Sequence, residues 1–217
     1  MEGVENVSGS AARENILRRI AQSGARQRPK ATESVPLGTI FPAISDSRQR
    51  FLQECAANLT EVFPAADAAH SAQALEMILS SVPAGEVYVQ DNAALQPLIA
   101  VLRQWRPVRL SSQGAPAENT QASLTPAHAF VAQTGSILTS SACGGRGASI
   151  VPPCHIVYGR AEQIVADIAA ALALVPTEIP TASYVGLISG SSRTADIEKI
   201  LVQGAHGPRR LVVILEG

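Results

Sequence analysis

The chain ends with two apolar runs, Tyr-Val-Gly-Leu-Ile-Ser at residues 184–189 and Leu-Val-Val-Ile-Leu at residues 211–215. Continuous apolar runs are typical of strands that are buried on both faces of a parallel sheet. Between them, the polar segment Gly-Ser-Ser-Arg-Thr-Ala-Asp-Ile-Glu at residues 190–198 predicts a turn that enters a short helix. The stretch therefore predicts a βαβ unit with a right-handed crossover.

The turn between these runs carries the densest chemistry in the chain. A helix that begins there exposes backbone N–H groups that favour an anion, although Ser192 or Thr194 can cap the same groups. Arg193 offers a planar fork for a carboxylate or a phosphate. Asp196 and Glu198 already place negative charge in the first helical turn, which opposes a simple phosphate cradle. In parallel sheets ligands bind at the carboxyl ends of the strands, so we expect this turn at that edge.

Two interpretations remain open for each charged group of this region. Arg193 and Asp196 either bind and polarise a small carboxylate or phosphate, or form an ion pair that braces the turn. His206, in the segment Gly-Ala-His-Gly-Pro at residues 204–208, acts either as a general base or as a hydrogen-bonded loop residue.

Composition limits the class of protein. Apolar residues make up 46% of the chain and charged residues 16%, which suits one compact domain with an appended arm. The formal net charge of -1 gives no basis for a nucleic-acid partner. Cys55, Cys143 and Cys154 lie far apart without metal-ligand spacing, which predicts reduced thiols and no metal site. Since the sequence shows no leader and no apolar run of about 20 residues, we predict a cytoplasmic protein without a membrane span.

The N-terminal region differs in pattern from the rest. Apolar residues at helical spacing predict an amphipathic helix over residues 11–22, which packs on its own domain or docks on a partner. Residues 24–46 contain three prolines and predict an extended linker. The predicted organisation is an N-terminal helix and linker at residues 1–45 and an α/β domain at residues 46–217.

Helical and strand patterns alternate along the first part of this domain. Alternation of this kind predicts an open, mostly parallel α/β sheet with helices on both faces. The predicted helices are residues 46–59, 67–80 and 94–105, and the predicted strands are residues 60–63, 86–90 and 108–111. Residues 113–123 are predicted to form a polar loop.

The middle of the chain predicts a second group of strands. Two apolar stretches flank Thr134 and Gly135, which predicts a tight turn between strands. The glycine-rich residues 143–149 predict a flexible loop, and a strand led by Pro152 and Pro153 follows. His155, on that strand, is predicted to be a hydrogen-bonded strand residue.

Several of these segments together resemble the LUD-domain family, specifically the LutC/YkgG-type lactate utilisation proteins. The strongest similarity is Ser-Arg-Thr-Ala-Asp-Ile-Glu at residues 192–198 with Gly-Ala-His-Gly-Pro at residues 204–208. The family typically has Ala-Glu-Thr-Gly-Thr where residues 132–136 are Ala-Gln-Thr-Gly-Ser. It also has a Gly-Arg element, here residues 145–147, followed by Pro-Pro-x-His, here residues 152–155.

The resemblance implies a fold like that of the NagB/RpiA/CoA-transferase proteins and a cytoplasmic role in bacterial lactate oxidation. It implies an accessory or regulatory component of L-lactate oxidation to pyruvate, which binds a small anion, LutA/LutB-like iron–sulfur partner proteins, or both. The alternative is a stand-alone enzyme, an isomerase, acyl transferase or cyclo-ligase, that acts on a small phosphorylated or carboxylated metabolite. Gln133 replaces the family's glutamate, and an amide can orient a ligand but cannot act as a nucleophile or base. This replacement favours binding over catalysis.

The candidate residues follow from these segments, and no metal or cofactor is predicted. The candidates for catalysis are Arg193, Asp196 and His206. The candidates for ligand binding are Gln133, Thr134, Gly135, Ser189, Gly190, Ser191, Ser192, Thr194 and Gly207.

Overall fold

The structure is a computed structural model that describes residues 8–24, 43–116, 118–143, 145–175, 182–195, 201–204 and 206–217. The chain divides into two units, Met1–Ala43 and Ile44–Gly217. In the first unit, helix α1 spans Ser8–Gly24 and includes the predicted helix at residues 11–22. Most of the predicted linker lies outside the described residues. No helix among the described residues is both long enough and apolar enough to cross a membrane.

The second unit contains two main sheets and a short hairpin. Its strands are β1 (Glu61–Ala65), β2 (Glu86–Val89), β3 (Val108–Leu110), β4 (Thr120–Pro126), β5 (Ala129–Val131), β6 (Ser136–Ser140), β7 (Cys154–Arg160), β8 (Ile164–Val165), β9 (Val185–Ile188), β10 (Arg193–Ala195), β11 (Leu201–Gln203) and β12 (Arg210–Glu216). The larger sheet has six strands in the order β1-β12-β7-β4-β2-β3, and all of its pairings are parallel. This sheet confirms the predicted open parallel architecture.

The described residues of this unit also form five α-helices, and three of these helices begin with a side-chain cap. The five helices are α2 (Ser47–Ala57), α3 (Ala68–Ser80), α4 (Gln96–Leu102), α5 (Gly145–Ile150) and α6 (Ile168–Ala173). Carboxylates of Asp46, Asp67 and Asp167 accept a hydrogen bond from a backbone N–H in the first turn of α2, α3 and α6. These acceptors satisfy donors that a helix start leaves unpaired.

Both faces of the six-stranded sheet are buried, as the apolar runs predict. On β12, Val212 and Ile214 face a core formed with α3 and α4, whereas Leu211 and Val213 face a core formed with α2 and the second sheet. Cys55, on α2, is fully buried in that second core.

The second sheet has four strands in the order β8-β5-β6-β9. Strands β5 and β6 form the antiparallel hairpin that the Thr-Gly pair predicts. The turn needs glycine because the φ angle of Gly135 is 61°, in the left-handed region.

The predicted βαβ unit at residues 184–215 is wrong. Strand β9 pairs antiparallel with β6, while β12 pairs parallel with β7 and β1, so the two strands belong to different sheets. Arg193–Ala195, where the sequence predicts the entry to a helix, is a strand that pairs antiparallel with Leu201–Gln203, and residues 196–200 of the predicted helix lie outside the described residues. An apolar run identifies a strand but not its partner, and β9 is only partly buried.

Three further predictions need correction. Residues 120–123 belong to β4 instead of a loop, because the hydroxyls of its buried Thr120 and Ser123 have hydrogen-bond partners. Residues 145–150 form helix α5 instead of a flexible loop, and its Ala148 is buried. The predicted helix at residues 94–105 is a 3-10 turn at Ala93–Leu95 followed by α4, which ends at Leu102.

Candidate functional site

The segments that carry the family resemblance meet beside the end of α2. The Asn58 side-chain amide donates to the Thr134 carbonyl at 2.8 Å, and the Asn58 carbonyl accepts from the Arg193 guanidinium at 3.3 Å. We call this region, formed by Asn58 with residues 134–136 and 189–193, the Asn58 junction. It brings together two stretches that lie more than fifty residues apart in the sequence.

Two glycines permit this close approach. A Cβ atom at Gly135 would lie 2.7 Å from the Glu54 carbonyl carbon and 2.8 Å from the Cys55 nitrogen. A Cβ atom at Gly190, whose φ angle is 80°, would overlap the Asn58 carbonyl oxygen. Both positions therefore require glycine for space as well as for conformation.

A chain of hydroxyl groups runs through the junction. The Ser136 hydroxyl lies 2.6 Å from the Thr134 hydroxyl and 2.6 Å from the Ser189 hydroxyl. Ser136 is buried and Ser189 is exposed, so the chain connects the interior with solvent. Within the described structure, the buried Ser191 and Thr60 hydroxyls have no hydrogen-bond partner. Unpaired buried hydroxyls are costly, and they give this region unused hydrogen-bonding capacity.

Arg193 is the exposed cation of the junction. Its guanidinium contacts the Asn58 carbonyl, and among the described residues it forms no ion pair. Ser192 also contacts the Gly-Ala-His-Gly-Pro segment at residues 204–208. The Ser192 N–H donates to the Pro208 carbonyl at 2.8 Å, and a Cβ atom at Gly207 would lie 3.1 Å from the Ser192 Cβ. The exposed His206 lies in that loop.

The remaining candidates lie apart from this group or cannot be placed. The Gln133 backbone N–H donates to the Ala166 carbonyl at 2.9 Å, which directs this residue toward the β8 end of the hairpin. Thr194 lies in β10, and its side chain is outside the description. Asp196 and Glu198 fall outside the described residues.

The junction lies at the amino ends of the six-stranded sheet. Asn58 precedes β1, and Pro208, which accepts from Ser192, precedes β12. The predicted location at the carboxyl ends is wrong because β9, which leads into the turn, is not a strand of that sheet. The loop of Gly207 instead borders an amino-edge cavity of about 480 Å³ that also contacts Arg209 and Arg210. Arg210 is held there by Glu61 through two hydrogen bonds of 2.5 and 2.7 Å.

A cavity that the sequence analysis missed lies at the opposite edge. Its volume is about 490 Å³, and it opens where β2, β4 and β7 end. We call it the carboxyl-edge cavity. It is lined by Asn92, Ala93, Ala94, Pro97, Pro126, Ala127, His128, Ala142, Cys143, Tyr158, Gly159, Arg160 and Gln163.

His128, on the wall of this cavity, contacts two other polar side chains, the buried Ser140 behind the wall and Cys143 on it. Its Nε2 atom lies 2.8 Å from the Ser140 hydroxyl and 3.1 Å from the Cys143 sulfur. Burial raises the pKa of the Cys143 thiol, so this group stays protonated and is a poor nucleophile at neutral pH. A strand at residues 120–126 with a histidine just after it would have indicated this site, but the polar composition concealed the strand.

His155 is the buried histidine of the central strand β7. Its Nε2 atom lies 2.8 Å from the Thr125 hydroxyl, whereas its Nδ1 atom has no partner in the described part of the chain. His155 is therefore a strand residue, as predicted, but only one of its two ring nitrogens is hydrogen-bonded. Burial lowers its pKa to about 4, so the ring is neutral at physiological pH.

Among the described residues, no group of three or more His, Cys, Asp or Glu side chains is placed to hold a metal ion. All three cysteines of the chain are buried and unpaired, and burial raises the pKa of each thiol.

Comparison with solved structures identifies a similar fold. A crystal structure of a DUF162 family protein from Deinococcus radiodurans matches with a TM-score of 0.62 at 21% identity. The match covers 79% of this chain and 96% of that one. At this level of identity, the likeness concerns the fold alone.

Two curated relatives with related sequences share a name. Lactate utilization protein C of Deinococcus radiodurans is 34% identical over 102 residues, which cover 46% of this chain and 48% of that protein. Lactate utilization protein C of Bacillus velezensis is 26% identical over 229 aligned positions, which cover 93% of this chain and 94% of that protein. The match thus spans about half of the first relative and nearly all of the second.

The family comparison covers most of the second unit. The model of the LUD domain matches residues 48–215, a range that includes the Asn58 junction and the strands that border the carboxyl-edge cavity. Since this match extends over far more than half of the chain, the protein belongs to the LUD domain family.

Proposed function

We propose that this protein is an accessory component of L-lactate oxidation to pyruvate, which binds a small carboxylate and iron–sulfur partner proteins. The observation that carries the proposal is the Asn58 junction, where both family segments meet around an exposed arginine. The names of the two relatives, both Lactate utilization protein C, supply the metabolic context.

The chemistry of the junction suits a small hydroxy acid. Arg193 offers a guanidinium that no described carboxylate neutralises, and guanidinium groups bind carboxylates through paired hydrogen bonds. The exposed hydroxyl of Ser189, at the end of the hydroxyl chain, can donate or accept a further bond. Lactate carries a carboxylate beside a hydroxyl group, so one molecule would use both kinds of group.

The cysteines favour an accessory role over electron transfer by this chain. An iron–sulfur cluster commonly needs four thiolates, and the chain has three cysteines. Cys55 and Cys154 belong to the two different cores, and burial raises the pKa of these thiols to about 12 and about 11. The electron carriers in the proposed reaction would therefore be the partner proteins.

The first test is a thermal-shift measurement with lactate, pyruvate, a sugar phosphate, coenzyme A and a nucleotide. A ligand that binds only the folded state raises the melting temperature by mass action. We expect lactate or pyruvate to raise it in the wild type and in Arg103→Ala, which removes an exposed arginine elsewhere, but not in Arg193→Ala. Equal shifts in all three proteins would exclude Arg193 from the site, and no shift would contradict carboxylate binding.

A second test addresses the partners. Co-expression with the iron–sulfur lactate-oxidation proteins of the same organism should yield a complex whose visible absorption comes from the clusters. Removal of residues 1–28 tests whether the N-terminal helix is the docking arm. If this chain elutes alone at every stage of purification, the partner part of the proposal is wrong, whatever the thermal shifts show.

A further inference from the structure

The carboxyl-edge cavity lies where an open α/β sheet forms its binding crevice. After β2 the chain continues outward to β3, and it then returns to the other side of β2 as β4. From β4 the sheet continues through β7 to β12. The order of strands therefore reverses between β2 and β4, and ligands of such sheets bind beyond the carboxyl ends at this switch point.

Hydrogen bonds between neighbouring segments hold the walls of the cavity in place. The Gln163 side-chain amide donates to the Ala127 carbonyl at 2.9 Å, and the Ala127 N–H donates to the Tyr158 carbonyl at 2.9 Å. On the opposite side, the Gln90 side-chain amide donates to the Ala142 carbonyl at 2.9 Å. The cavity is thus formed before any ligand arrives, as most small-molecule sites are.

The polar groups at the mouth of the cavity are donors. Arg160 contributes a guanidinium, and its ion pair with Glu162 is long, at 3.6 Å, with side chains that are 65% and 71% exposed. Exposed pairs contribute little stability, so the guanidinium can turn to another anion. The Asn92 side-chain oxygen accepts from the Ala94 N–H, which leaves its NH₂ group as the donor. The described lining contains no carboxylate.

The apolar part of the lining sets the size of the ligand. Ala93, Ala94 and Pro97 form one side, and Pro126 with Ala127 forms another. A volume of about 490 Å³ falls within the range of about 300–1,000 Å³ that holds drug-sized ligands. A three-carbon acid would leave most of this space unfilled.

From these observations we propose a second ligand site in the carboxyl-edge cavity, which binds an organic anion of about mononucleotide size. The carboxylate or phosphate of the ligand lies against Arg160 and Asn92, and its body lies against the alanine and proline walls. Burial raises the pKa of the Cys143 thiol, which makes this group a poor nucleophile toward the ligand. This inference does not depend on the proposed function, because it uses none of the residues of the Asn58 junction.

The histidine side chains can serve as NMR reporters of where an anion binds. There are four, and each reports a different place: His128 the cavity wall, His206 the loop beside Ser192, His155 the interior of β7, and His70 the surface of α3. Proton–carbon NMR spectra of the histidine rings, assigned by single His→Gln variants, would be recorded during titration with AMP, phenylpyruvate and ribose 5-phosphate. Sodium chloride at equal ionic strength is the salt control.

The expected result is a saturable shift of the His128 signals with at least one of these anions, while His70 follows the salt control. Arg160→Gln should weaken that binding about tenfold, as expected for loss of a charge-assisted hydrogen bond. Ala94→Phe, which narrows the mouth without changing charge, should weaken it as well, and Arg103→Gln should leave it unchanged.

Either of two results would overturn the proposal. One is that His128 follows His70 and the salt control with all three anions. The other is that a saturable shift persists unchanged in both Arg160→Gln and Ala94→Phe. A saturable shift of His206 alone would assign binding to the neighbourhood of the Asn58 junction, so failure of this inference stays distinct from failure of the proposed function.

Discussion

The Asn58 junction and the carboxyl-edge cavity differ in what forms them. In the junction, two turns pack directly against the backbone at the end of α2, and the glycines at positions 135 and 190 leave room for this contact. In the cavity, side chains from the ends of three strands surround open space of about 490 Å³. The family motif marks the first region strongly, whereas no motif marks the second.

This difference shows that a short sequence motif indicates close backbone contacts more readily than it indicates a ligand cavity. Glycines and small hydroxyl residues in a motif record where the backbone must pass closely, and such contacts define a fold. A cavity is lined by whichever residues follow the strands, so its chemistry has no fixed spacing in the sequence. We therefore expect substitutions in the junction to lower stability, and substitutions at the cavity to change binding.

The largest expected effect is that of Gly135→Ala. A left-handed conformation costs a non-glycine residue about 1–2 kcal/mol, and overpacking adds about 1–3 kcal/mol. We expect the free energy of unfolding to fall by about 3–4 kcal/mol, which corresponds to a melting temperature lower by about 10 °C. Denaturant unfolding followed by circular dichroism measures this loss.

Gly114→Ala is a conservative control for this prediction. Gly114 has a φ angle of 117° and a ψ angle of -167°, a region that only glycine readily occupies, but a Cβ atom there would meet nothing within 4 Å. Its variant should lose a conformational part at least as large as that of Gly135, so any greater loss in Gly135→Ala is a lower limit for the cost of the close contact. A loss in Gly135→Ala smaller than that in Gly114→Ala would show that the contact with α2 is not tight, and the contrast between junction and cavity would weaken.

The next effect concerns pH and the strand that leads to the cavity. His155 has a pKa of about 4 in the folded protein, whereas an unfolded chain binds the proton at about 6.5. Between these values the unfolded state holds more protons, so stability falls as pH falls from 6.5 to 4. A shift of this size corresponds to roughly 3 kcal/mol at the lower limit.

Urea unfolding at several pH values, in the wild type and in His155→Gln, tests this expectation. The wild type should lose more stability than the variant between pH 6.5 and pH 4, whatever their difference at neutral pH. His206→Gln, which removes an exposed histidine outside the cores, should keep the wild-type slope. Parallel curves for the wild type and His155→Gln would contradict the assignment.

Much of the larger sheet follows from the sequence because its strands are apolar and buried on both sides. The runs at β2 and β12 need no partner to be recognised, and their alternation with helices predicts a parallel sheet. Strand β4 escapes the pattern because Thr120, Ser123 and Thr125 are polar, and only the folded structure shows that their hydroxyls are paired.

The candidate site is predicted only in part, for a related reason. The motif residues Thr134 and Arg193 do meet, but they meet through Asn58, which no pattern singles out. The predicted location of these residues at the carboxyl edge of the sheet is wrong, because β9 pairs with β6 through long-range contacts that the local periodicity of the sequence does not reveal. His128 acquires its role from the end of β4, so it could not be recognised before that strand was.

A smaller effect separates two hydroxyls of the same junction. Ser136 has hydroxyl partners on both sides, whereas Ser191 has none in the described structure. Ser136→Ala should cost about 1–2 kcal/mol because it breaks two hydrogen bonds, while Ser191→Ala should be neutral or slightly stabilising. Equilibrium unfolding of both variants gives the comparison. A large loss in Ser191→Ala would mean that its hydroxyl is satisfied by water or ligand, and the region would then count as a binding site.

The smallest expected effect on stability belongs to Arg160→Gln at the cavity. Its ion pair with Glu162 is exposed on both sides, and such pairs contribute about 0–1 kcal/mol. The melting temperature should therefore change by less than about 4 °C, and raising the salt concentration should remove even that difference. Arg210→Gln is the contrasting variant: Arg210 is only 27% exposed and makes two hydrogen bonds to Glu61, so its loss should be clearly larger. If Arg160→Gln were as destabilising as Arg210→Gln, the arginine would be part of the scaffold and would not be available to a ligand in the cavity.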